Sequence, residues 1–154
     1  MGRDIGFAIE RRDDEGTFHA TTLPFPPSLH VHGLVVDDRT FPFAFSTARR
    51  SEVFHVLAGY EDEEETWTRL AGGRGAPKDA SPEVTDALTH AADPHYGEPG
   101  WATAEDFARY DLEAGYRIDG KREPFSEDAA SWITTMGALL ATLGPDARLV
   151  FWWF

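Results

Sequence analysis

Residues 146–154 read DARLVFWWF, and from Ala147 onward Arg148 is the single charged side chain in eight positions. A run of this length, rich in branched and aromatic side chains, is a strand. Because it is apolar at nearly every position, it needs cover on both faces, from its own chain on both or from its own chain and a partner. Exposing Phe151, Trp152, Trp153 and Phe154 together would leave an apolar patch larger than the few hundred Å² a monomer tolerates. The segment is therefore expected in a sheet, buried on at least one face, and the rest of the chain must supply its neighbours.

The first neighbour is at the other end. Ile5, Phe7 and Ile9 alternate with Asp4, Gly6, Ala8 and Glu10, the period-2 pattern of a strand with one buried face. "DDEG" (13–16) turns the chain, and 17–23 continue as a second strand, so 4–23 read as a hairpin closed off by Pro24, Pro26 and Pro27. "TFPFAF" (40–45) is extended, with Pro42 confining it to a sheet edge or a loop. Val53, Phe54, Val56 and Leu57 then recur at helical spacing and predict a helix within 47–60 that stops near Gly59.

Three further helices have start signals: Ser81-Pro82-Glu83, Thr103 with Asp106 three residues on, and Ser126 before a face of Trp132, Met136, Leu139, Leu140 and Leu143 that ends at Gly144-Pro145. Between them, "AGGRGAPKDA" (71–80) has neither the Lys-Ser/Thr nor the preceding apolar strand of a phosphate cradle, and reads as a flexible loop. In "ADPHYGEPGW" (92–101), Pro94 and Pro99 stiffen the backbone and Gly97 and Gly100 permit positive φ, so a rigid connector is expected. Strands early, helices later and a returning terminal strand predict one α+β domain over 1–154. It should have a mainly antiparallel sheet, three to four helices and a buried C-terminal strand.

The chain has 154 residues, no cysteine, 27 Asp and Glu against 14 Lys and Arg, and a net charge of −13. That field repels nucleic-acid phosphates and anionic lipid and favours a basic protein partner or a cation. Without thiolates, any metal must sit on His, Asp or Glu. No window of about 18 apolar residues spans a membrane. The expectation is a cytoplasmic protein with no bound cofactor or structural metal, no direct nucleic-acid or membrane contact, and self-association, if any, through the C-terminal strand.

"MGRDIGFAIERR", "SEVFHVLAGYED", "GAPKDASPEV", "DPHYGEPGWATAEDF" and "DARLVFWWF" occur in the order and approximate spacing of a family of small, uncharacterised proteins of tailed bacteriophages and bacteria. The chain resembles that family, whose pattern opens on Met-Gly-Cys-Asp-Ile-His and closes on Val-Arg-Ile-Val-Phe-Trp-Phe-Asp-Asn. The resemblance singles out Asp4, Asp93, His95, Trp101, Thr103 and Arg148 and implies no assigned activity. Arg3 and Gly6 stand where the pattern has Cys and His, which removes two ligands from any site built there.

Two functions follow. The first is a small acidic binding or inhibitory protein acting on a basic protein surface or a small ligand. Its candidate residues are Asp4, Asp93, His95, Trp101, Arg148 and Trp67, the last an aromatic anchor beside the steering charges of 61–65. The run 61–65 also reads simply as a solvated loop. Capture of a small ligand in an aromatic-lined pocket is a variant of the first function. The alternative is a metal-assisted hydrolase drawing on Asp4, Asp93, His95 and His30 or His32. Residues 93 and 95 cannot easily face each other, so Asp93 is expected to form a turn before Pro94, with His95 on the rim of the site. No nucleophile elbow and no His-Glu-x-x-His is present.

Overall fold

The computed structural model describes residues 5–21, 29, 31–36, 39–45, 50–58, 60–61, 63–71, 73–90, 92–93 and 98–153, with backbone alone for 31–36, 39–45, 50–51, 54, 58 and 60–61. Asp4, His30, His95 and Phe154, and the side chains of His32 and Phe54, lie outside these. The elements are β1 (Ile5–Arg12), β2 (Phe18–Thr21), β3 (Val31–Val36), β4 (Arg39–Phe45), α1 (Arg50–Ala58), β5 (Tyr60–Glu61), β6 (Glu65–Trp67), α2 (Pro82–His90), β7 (Gly100–Thr103), α3 (Ala104–Arg109), a 3-10 turn (Leu112–Ala114), β8 (Tyr116–Ile118), β9 (Lys121–Glu123), α4 (Glu127–Leu143) and β10 (Ala147–Trp153). This is an α+β fold with two antiparallel sheets, one ordered β3-β4-β1-β10-β7 with β2 also on β1, the other β5-β6-β8-β9.

The terminal run is the middle of the larger sheet. β10 pairs with β1 from Ile5↔Trp153 to Arg11↔Ala147 and with β7 from Arg148↔Thr103 to Phe151↔Gly100. All seven of its residues are buried. Both faces are covered by the chain itself, so over 148–151 the strand has neither a free face nor a free edge for a second copy.

Burial in β1 departs from the sequence reading, since Ile5 through Glu10 are buried on both faces. Phe7 meets Trp132 of α4 edge-on at 6.1 Å, which places α4 over the odd-numbered face. On the even face, Trp152 lies against Gly6, and Glu10 meets the Ser81 amide at the start of α2. A strand between two neighbours with helices on both sides has no solvent face, whatever its polarity pattern suggests.

Pro42 is also placed differently. β4 lies inside the sheet between β3 and β1, and its register with β3 shifts between His32↔Ala44 and Leu34↔Phe41. Pro42 and Phe43 thus oppose the single residue Gly33, a bulge, and a bulge is the other place where a strand tolerates a residue with no amide hydrogen.

The start signals fare well. Ser126 Oγ accepts from the Ala129 amide, and Thr103 with Asp106 forms a full capping box. Ser126 also donates from its hydroxyl to Glu52 Oε2 at 2.6 Å, which ties α1 to the start of α4. Within the acidic run 61–65, Glu61 and Glu65 belong to the paired strands β5 and β6, with Glu61↔Thr66 and Tyr60↔Trp67 in register, while Glu63 and Glu64 between them are exposed.

Candidate functional site

At one end of the larger sheet the 73–80 loop, the β1–β2 hairpin and the start of β10 enclose a cleft of about 410 Å³. Register decides what faces it. Trp101 and Thr103 of β7 stand opposite Val150 and Arg148 of β10, and Arg148 stands opposite Glu10 of β1, so Trp101, Arg148 and Glu10 lie on one side of the sheet. β2 brings Phe18 to the same corner.

Arg148 is the centre of this corner and is only 5% exposed. Its Nε donates to Glu10 Oε1 at 2.9 Å and its Nη1 to Asp79 Oδ1 at 2.9 Å. Its guanidinium carbon lies 3.5 Å from the centre of the Phe18 ring, a cation–π contact. Glu10 is fully buried and fixed from the other side, because its Oε2 accepts the Ser81 amide at 2.6 Å.

A second arginine repeats the arrangement. Arg74 stacks over Trp101 at 4.3 Å and donates to both oxygens of Asp106, at 2.6 and 2.9 Å. Asp106 also accepts from the Thr103 amide and hydroxyl. Burial pushes the Asp106 carboxyl up, but the Arg74 and Thr103 hydrogen bonds outweigh it and hold it below the usual carboxylate range. Asp79 is held below that range by its Arg148 hydrogen bond.

Arg12, paired with Asp146 at 2.8 Å, and Lys78 complete the rim. Arg12, Arg74, Lys78 and Arg148 thus gather cationic side chains at this corner of a chain of charge −13, with Glu10 and Asp79 on Arg148, Asp106 on Arg74 and Asp146 on Arg12.

Behind Asp106 lies a smaller cavity of about 300 Å³. Tyr110 lines it, donating to the Thr68 carbonyl at 2.7 Å, and burial raises its hydroxyl to about 12. The phenol stays protonated at neutral pH and acts there as a fixed donor.

Of the residues singled out from sequence, the structure brings Trp101, Thr103 and Arg148 together. Asp93 lies elsewhere, its amide donating to the Trp153 carbonyl at 2.6 Å. Trp67, expected as an exposed anchor, is 6% exposed and stacks on Tyr116 at 3.8 Å beside Phe125. From β6 its ring joins an aromatic cluster with His55 of α1, Tyr116 and Phe125, and so large an apolar side chain gains more from that burial than from exposure. Gly100, expected to supply positive φ, instead sits in β7, where a Cβ would come within 2.6 Å of Phe151.

Glu10, Phe18, Arg74, Lys78 and Asp79 were missed as site residues. For Glu10, its place directly after the apolar run Ile5–Ile9 was the one available signal. The loop residues had none, since their meeting with the sheet is set by the tertiary fold.

Among the described residues no three His, Asp or Glu side chains converge as metal ligands, and no helix is long and apolar enough to cross a membrane. In comparisons with known proteins, no family model, curated protein or solved structure matches this chain.

Proposed function

We propose that this is a binding protein that holds a small ligand in the cleft walled by Phe18, Trp101, Arg74 and Arg148. The observation that carries the reading is the pair of guanidinium–aromatic stacks, each anchored by a carboxylate beneath it, around a concavity of about 410 Å³. A volume in this range suits a small ligand, and a site pre-built on strands and locked by hydrogen bonds loses little order when occupied. The acidic surface also suits a basic protein partner, the other form of binding role, but that form loses its aromatic anchor with the burial of Trp67.

The test is a metabolite library screened for stabilisation of the full chain, with Trp101→Leu as the control. Compounds that raise the unfolding midpoint of the wild type and leave Trp101→Leu unmoved are the expected result. A library at millimolar concentration that stabilises neither protein removes the reading.

A further inference from the structure

Arg148 faces two carboxylates where one balances its charge, and the two are held very differently. Glu10 is fully buried and pinned by the Ser81 amide, so it cannot leave. Asp79 sits on the cleft-lining loop, and its side chain is 66% exposed even while paired. We infer that the cleft takes a small oxyanion, a carboxylate or a phosphate carried on a small molecule, which replaces the Asp79 carboxylate at Arg148 Nη1. This rests on the binding reading above and names the ligand class.

The exchange is physically inexpensive. Glu10 keeps Arg148 compensated throughout, so no buried charge is uncovered when Asp79 swings into water, and an arriving oxyanion inherits a donor already aimed into the cleft. The preceding residue, Lys78, lines the same cleft and makes no ion pair among the described residues, so a second cation is ready for the oxyanion's remaining charge. Asp79 is ionised at neutral pH like any exposed aspartate, its Arg148 hydrogen bond lowering the carboxyl further, and it therefore competes with the ligand continuously. An internal group of this kind competes at an effective concentration on the order of millimolar, which weakens an outside anion correspondingly.

The test is an NMR titration of the full chain, following the Trp101 indole and Arg148 Nε signals, with phenyl phosphate, benzoate and neutral benzyl alcohol. Wild type, Asp79→Asn and Lys78→Ala are compared, with their unfolding midpoints as folding controls. Expected are anion-induced shifts of both signals, a Kd for the anions lowered about tenfold in Asp79→Asn and raised in Lys78→Ala, and no change for benzyl alcohol in either. The tighter of phenyl phosphate and benzoate identifies phosphate or carboxylate as the source. An anion Kd within about twofold of wild type in Asp79→Asn overturns the inference, as does an equal gain by benzyl alcohol. If library compounds still shift Trp101 in that case, the binding reading stands alone; if none does, both are lost.

Discussion

At Gly6 the missing Cβ lets the Trp152 indole lie across the backbone of the paired strand, since any Cβ built there falls inside the ring. Gly6→Ala is expected to cost about 2 kcal/mol by overpacking, read as a lower urea midpoint at unchanged slope. The steric reason for a glycine at this position is visible only once β1 and β10 are in register.

The Arg148–Glu10 pair gives an asymmetric expectation. Arg148→Met strands a buried carboxylate and should cost about 3–5 kcal/mol, whereas Glu10→Met should cost less because Asp79 still pairs with the arginine. The double variant should be more stable than Arg148→Met alone in the same denaturation assay.

For Asp106 the pH sign follows from its lowered carboxyl. Its contribution is fully present above the unfolded value of about 3.9 and is lost as pH falls through the lower folded value. The stability gap between wild type and Asp106→Asn should therefore be constant from about pH 5 to 7 and close below about pH 4, measured by urea unfolding across that range.

At the scale of elements, the helices were the most legible parts because their signals are local. Ser126, Thr103 and Ser81 each cap the helix that their own sequence announces, through hydrogen bonds spanning three residues. What those helices dock against was not legible. Glu52 of α1 reaches Ser126 across 74 positions, accepting from both its amide and its hydroxyl. A double-mutant cycle of Glu52→Ala and Ser126→Ala should give a coupling of about 1 kcal/mol, and additivity would show the two helices to be independent. The second sheet was missed altogether. Its strands are two or three residues long, and β6 finds β8 from more than 45 residues away, so no window of sequence holds their pattern.

For the whole molecule, the chain's two ends form one continuous ladder at the centre of the larger sheet. Removing residues 147–154 should abolish cooperative unfolding, seen as loss of the near-UV circular dichroism transition, because β1 and β7 would lose their shared neighbour and α4 part of its floor. Composition and periodicity alone determined the α+β class, the helix starts, the first hairpin and the burial of 147–153, since each depends on residues close in sequence or on the simple excess of apolar side chains in one run. Only the tertiary structure decided that β1 is buried on both faces, that Trp67 is core and that Arg74, Lys78 and Asp79 meet Arg148 at one cleft. These depend on which strands become neighbours and in what register. A single-residue shift in that register would turn Arg148 and Glu10 to opposite faces, and no local signal in the sequence specifies it.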